Sequence, residues 1–125
     1  MQARARQRGR LFAECMRVIP QRLQRRDVEN IVRAVRLGRG PFAGKWVVVG
    51  DFGWCDRSKT AMRLVCERIG RENAVLLHAP FRLHDRHVRV LARVFDHGTV
   101  PLVIDDAGRY LGGADELESL LSVRE

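Results

Sequence analysis

The chain has 125 residues, 46% of them hydrophobic, enough for one domain around one core and too few for two. Its apolar runs fall far short of the ~20 residues that a membrane-spanning helix needs, so a soluble protein with no membrane partner is expected. The formal net charge is +8, and only Lys45 and Lys59 among the basic residues are lysines. Such a surface permits contact with nucleic acid or acidic surfaces. No nucleic-acid motif accompanies it, and aromatics make up only 6% of the chain, so nucleic acid is not an expected partner. Three cysteines, Cys15, Cys55 and Cys66, make no even disulfide framework and fit a reducing compartment. No apolar signal-peptide core follows Met1, so the cytoplasm is the expected location.

Residues 1–26 read as a basic extension, partly helical, ahead of a domain spanning residues 27–125. Met1–Arg10 alternates arginine with small or polar residues and cannot build a core. Its arginine-rich, acid-poor character is also that of an organelle transit peptide, which makes a mitochondrial location the alternative. Leu11, Cys15, Val18 and Ile19 fall on one helical face and predict a short helix ended by Pro20, with Cys15 a small apolar residue on it. Asp27 is the expected cap of the next helix. There Val28, Ile31, Val32 and Val35 repeat at helical spacing until Gly38.

Trp46–Lys59, WVVVGDFGWCDRSK, holds the most chemistry. Trp46–Val49 is an apolar run of strand formers. A glycine-containing turn then delivers Trp54-Cys55 to a helix expected from about Arg57. Helix starts carry unpaired N–H groups and partial positive charge, which stabilise a thiolate and make it nucleophilic at neutral pH. Arg57 and Lys59 add positive charge, while Asp56 opposes it. A buried, inert cysteine is the alternative reading of the same residue. The helix should bury Met62, Val65, Cys66 and Ile69 and stop at Gly70. Cys66 lies about three turns beyond Cys55, too far for bridged Cα atoms at ~7 Å, and reads as core packing.

Asn73–His78 is a second buried strand, parallel to the first by a right-handed crossover. Val88, Leu91, Ala92 and Phe95 mark a helix from about His84 to Asp96. Thr99–Asp105 is a strand with proline near its start, and Arg109–Leu111 returns as its hairpin partner. Gly112-Gly113 opens a last helix with Leu117, Leu120 and Leu121 facing inward. The pattern predicts an α/β fold, a four-stranded mixed sheet with helices on both faces. His84, His87 and His97 lack a carboxylate or thiolate cluster at a recognised spacing, so they read as surface histidines and no metal site is assigned.

Three pieces in this order resemble the glutaredoxins of the thioredoxin superfamily, in a one-cysteine, Cys-x-x-Ser variant. They are GKWVVVGDFGWCDRS, Thr99-Val100-Pro101, and Gly112-Gly113-Ala114-Asp115, and the likeness spans about Asp27 to Val123. The resemblance implies a three-layer α/β/α thioredoxin-like fold and a glutathione-dependent thiol–disulfide oxidoreductase acting on glutathionylated or disulfide-containing proteins, as a monomer. Cys55 would be the nucleophile, and Ser58, standing where a second cysteine would resolve the intermediate, would donate to its sulfur. Thr99, Val100 and a cis Pro101 would dock glutathione along the backbone. Gly113, Ala114 and Asp115 would hold its γ-glutamyl end at the helix start, with Arg57 adding charge.

The chain departs from the family pattern at Asp56, where proline or glycine is usual, at Arg57, usually aromatic, and at Phe52, usually a glutathione-pairing lysine. Arg89 and Arg93 are further candidates to supply the missing charge. Asp51-Phe52 and Lys59 also echo thioredoxin, which however needs a second cysteine. Two other classes stay open: a [2Fe–2S] glutaredoxin, whose Cys-Gly-Phe-Ser motif this chain lacks, and a non-catalytic binding module using the arginine surface.

Overall fold

A computed structural model describes residues 20–80 and 85–123. The expected first helix and the arginine-rich arm lie outside them. The elements run β1 (Gln21–Arg22), α1 (Arg25–Leu37), β2 (Trp46–Gly50), α2 (Asp56–Arg68), β3 (Ala74–His78), α3 (Arg86–Phe95), β4 (Leu102–Ile104), β5 (Tyr110–Gly112) and α4 (Ala114–Val123). They form a mixed α/β fold on a five-stranded sheet of order β1-β3-β2-β4-β5.

β2 organises this sheet because every one of its residues is buried. Side chains alternate across a strand. Val47 and Val49 therefore enter one core with Leu23, Val28, Ile31 and Leu91, while Trp46 and Val48 enter the other with Met62, Val65 and Leu117. The first core packs α1 and α3 on the sheet, and the second packs α2 and α4. Each fully buried aliphatic side chain contributes roughly 1.5–3 kcal/mol relative to exposure. β2 pairs parallel with β3 (Val48 beside Leu76) and antiparallel with β4 (Val48 beside Val103). The parallel crossover and the β4–β5 hairpin are therefore as the spacing predicts.

The strand count differs from expectation. The fifth strand is β1, Gln21–Arg22, pairing parallel with Leu77 and His78 at the sheet edge. It comes from the stretch read as an extension. Two exposed polar residues have no apolar alternation to read; Leu23, 2% exposed, and its N–H bond to the His78 carbonyl (2.8 Å) hold them there. The cap of α1 also differs. The helix begins at Arg25 with Gln24 as its N-cap, and the Gln24 N–H donates to the Asp27 carboxylate at 2.8 Å. Asp27 acts from inside the first turn, the reciprocal half of a capping box. Cys66 is buried, as expected of a packing residue, but it is disulfide-bonded. Spacing excluded Cys55 as its partner and showed nothing more.

Gly108, in the β4–β5 turn, has φ +78°, and an added Cβ would lie 2.9 Å from the Ala34 carbonyl oxygen of α1. Both the backbone conformation and the contact oppose a side chain. Gly108→Ala is expected to destabilise the fold by about 1–3 kcal/mol, read as a lowered urea midpoint at unchanged m-value; an unchanged midpoint would show that turn and helix separate freely.

Candidate functional site

The turn between β2 and α2 is built by its own polar groups. Asp51 is 6% exposed, and its carboxylate accepts the Gly53 and Trp54 N–H groups, each at 3.2 Å. The Asp51 carbonyl accepts the Cys55 N–H at 3.0 Å. The Phe52 N–H donates to His78 Nδ1 at 3.2 Å, and the two rings stack with centroids 6.0 Å apart. These bonds satisfy donors that a tight turn cannot pair with a strand neighbour. They deliver Cys55, half-buried, as the N-cap of α2 in extended conformation. Trp54 stands beside it 83% exposed.

Ser58 is fully buried, and its Oγ accepts the Asp51 N–H at 3.2 Å. A Cβ at Gly50 would come within 2.7 Å of that Oγ and 2.8 Å of the Ser58 Cβ. The first turn of α2 therefore rests directly on the end of β2. In that bond Ser58 acts as an acceptor and does not use its own hydroxyl proton.

The Cys55 Sγ lies 3.9 Å from the Val100 carbonyl oxygen, and the Val100–Pro101 peptide bond is cis. Val100 and Pro101 are buried, while Thr99 is exposed. The double-glycine corner abuts this segment: a Cβ at Gly113 would sit 3.4 Å from the Pro101 carbonyl oxygen. The Gly113 N–H is taken by the Glu116 carboxylate at 3.0 Å. Ala114 is buried at the start of α4, and the exposed Asp115 pairs with Arg57 of α2 at 2.5 Å. The hydrogen bond to Asp115 and its charge, with smaller contributions from Glu116 and Cys55, raise the Arg57 pKa above its ordinary value. The structure thus brings Cys55, Arg57, Val100, Pro101, Gly113, Ala114 and Asp115 to one end of the sheet. Phe52 packs against the α2/α4 core and carries no charge there. Arg89 lines a depression with Arg22 and Gln24.

Sequence reasoning missed His97. Its Nε2 bonds the Pro101 carbonyl at 2.9 Å, and its Nδ1 bonds the Tyr110 hydroxyl. A carbonyl only accepts, so Nε2 carries the proton, and in the neutral imidazole Nδ1 accepts from Tyr110. Tyr110 stacks on Phe95 at 5.4 Å. The histidine therefore ties the proline segment to β5, just ahead of the glycine corner. A lone histidine before Gly98 has no sequence signature for this. A cavity of about 220 Å³ opens elsewhere, between α1 and the β4–β5 turn, with Lys45 and Val47 at the opposite end of β2 in its wall. The buried Asp105 carboxylate beside it is satisfied by the Ala107 and Arg109 N–H groups at 2.9 Å each.

No protein-family model matches the chain, and no curated protein matches it.

Two measurements follow from this geometry. Gly50→Ala should cost about 1–3 kcal/mol, because the new methyl must displace Ser58 and with it the first turn of α2; a wild-type unfolding midpoint would refute the contact. Tyr110 is the only tyrosine, and partial burial, then the charges of Glu116 and Asp96, raise its pKa above 10.0. The folded state therefore favours the neutral phenol, and stability is lost as pH rises from about 10 through the folded pKa. Near-ultraviolet phenolate absorbance of the folded protein should titrate above 10.0, and Tyr110→Phe should flatten the fall in stability over that range.

Proposed function

We propose that the chain is a glutaredoxin-like oxidoreductase with a thioredoxin-like fold, using Cys55 alone to reduce protein–glutathione mixed disulfides. The observation that carries the reading is the position of one sulfur: Cys55, partly exposed at the start of α2, with its Sγ 3.9 Å from the Val100 carbonyl oxygen. A thiolate at a helix start is stabilised by the N–H groups and dipole, and the Arg57 charge adds to this.

In the proposed cycle the Cys55 thiolate attacks the glutathione sulfur of a protein–glutathione disulfide. The new S–S bond joins Cys55 to glutathione, and the protein sulfur leaves as a thiolate that takes a proton from water. A second glutathione thiolate attacks the glutathione sulfur held on Cys55. Glutathione disulfide leaves, and the Cys55 thiolate is restored. Ser58 provides no thiol, so no internal disulfide competes. The Val100 backbone offers strand-like pairing to the cysteinyl part of the tripeptide. The start of α4 suits the γ-glutamyl carboxylate, and Asp115 suits its ammonium. Arg57 and Asp115 are paired with each other, so the zwitterionic γ-glutamyl end inserts by exchanging one ion pair for two.

Incubation with glutathione disulfide should give a single adduct by mass spectrometry, absent in Cys55→Ser, and Cys55→Ser should reduce a glutathionylated peptide no faster than buffer. Iodoacetamide labelling of Cys55 should reach half-maximal rate below the ~8.5 of a free thiol. An unshifted titration without an adduct would defeat the assignment. Asp115→Asn should raise the KM for glutathione about tenfold, equivalent to one charge-assisted hydrogen bond, with little change in unfolding midpoint because the ion pair is exposed.

A further inference from the structure

The redox reading leaves the outer surface of α1 and α3 without a task. α1 carries Arg25, Arg26, Arg33 and Arg36, and α3 carries Arg86, Arg89 and Arg93, all exposed. Few acids offset them. Asp27 is buried as a helix cap, Glu29 is paired with Arg25 at 3.3 Å, and Asp85 is engaged by the His87 and Val88 N–H groups.

Arg25, Arg33, Arg36, Arg86 and Arg89, with Arg22 of β1, line three joined depressions of about 450, 390 and 460 Å³, the first two between the α1 side and α3 and the third along α1 alone. The first shares Arg86 and His87 with the second, and the second shares Val28 and Glu29 with the third, so they are continuous. The floor is aliphatic: Val28 and Val90 between the helices, then Val32 and Leu37 along α1. Leu37 is 66% exposed and Val90 is 44% exposed. α1 has 13 residues, which at ~1.5 Å per residue gives the groove a length of about 20 Å.

An aliphatic floor between basic rims selects its occupant. A second copy of this face would meet it with like charge. The chain's own first ten residues are arginine-rich and hold no acid, so they do not fit either. A nucleic-acid backbone would satisfy the rims, yet it has no apolar stripe for Leu37 and Val90, and among the described residues neither Phe, Tyr nor Trp lines the groove for base stacking. A membrane surface favours several protruding bulky side chains, whereas the apolar residues of this face are valines apart from Leu37. We infer that the α1/α3 groove binds an amphipathic helix of a partner protein, with aliphatic residues at i, i+3, i+4 and i+7 on the floor and Asp or Glu along both flanks. Helix-in-groove recognition draws its affinity from the buried apolar anchors, and the complementary charge sets orientation and on-rate. On this inference the partner docks on the helical layer opposite α2 and α4, which leaves Cys55 accessible.

The test uses the full chain and a fluorescein-labelled synthetic helix of about 18 residues, with leucine at those four spacings and glutamate on the flanks. Saturable binding by fluorescence anisotropy is expected. It should weaken about tenfold or more in the double variant Arg33→Glu, Arg86→Glu and severalfold in Val90→Ser, consistent with hot-spot losses above 1 kcal/mol. Circular dichroism of these surface variants should match the parent. Cys55→Ser should bind equally well, which separates this inference from the redox reading. Absence of binding, equal binding of a sequence-scrambled peptide, or indifference to the charge reversals would overturn it. So would tighter binding of a single-stranded oligonucleotide or of phosphatidylserine vesicles, since either result would give the face to a phosphate surface.

Discussion

The contact of Ser58 with Gly50 decides where the Cys55 sulfur sits. β2 is a rigid object, buried on both faces and paired on both edges. The first turn of α2 lies so close to its last residue that no side chain fits at Gly50. The buried Ser58 hydroxyl oxygen closes the gap by accepting the Asp51 N–H. Cys55 then has little freedom. Its N–H is bonded back to Asp51, its own carbonyl accepts the Lys59 N–H, and its sulfur faces Val100. For the nucleophile proposed above, ordering of this kind would belong to folding and not to each encounter, which is the physical content of preorganisation.

The second constraint comes from the far end of the sheet's sequence. The proline segment and the double-glycine corner are held together by His97, which bridges the Pro101 carbonyl and the Tyr110 hydroxyl. Gly113 packs on the same carbonyl. Segments distant along the chain thus meet at one edge, and Arg57–Asp115 spans the starts of α2 and α4. Under the proposed glutaredoxin-like reading, Arg57 stands where an aromatic residue is usual, and its guanidinium pairs with Asp115.

The two helical layers divide the charge as well as the core. The starts of α2 and α4 mix Asp56, Arg57, Asp115 and Glu116, whereas α1 and α3 present arginine over an aliphatic floor. Net charge describes the sum and hides this division. The +8 of the chain reads from composition as a uniform basic surface, and only packing α1 beside α3 turns it into a groove with two rims.

Much of this architecture is written in local pattern. Val28 and Ile31 at helical spacing, WVVVG as a doubly buried strand, the crossover length to AVLLH and the turn before Tyr110 each depend on neighbours in sequence, and each element formed where its pattern lies. β1 did not declare itself, because two polar residues at an edge have no period; a nearby leucine and the exposed edge of β3 recruit them. The bond partner of Ser58, the ion pair of Arg57 with Asp115, the bridge made by His97 and the covalent state of Cys66 were equally hidden. Sequence by itself determined the four described helices, the strands β2 to β5 and that Cys55 would begin a helix, since hydrophobic period and turn chemistry act over a few residues. Only the tertiary structure decided what faces that sulfur and which charges find each other, because those contacts join segments that meet only when both cores close on the sheet.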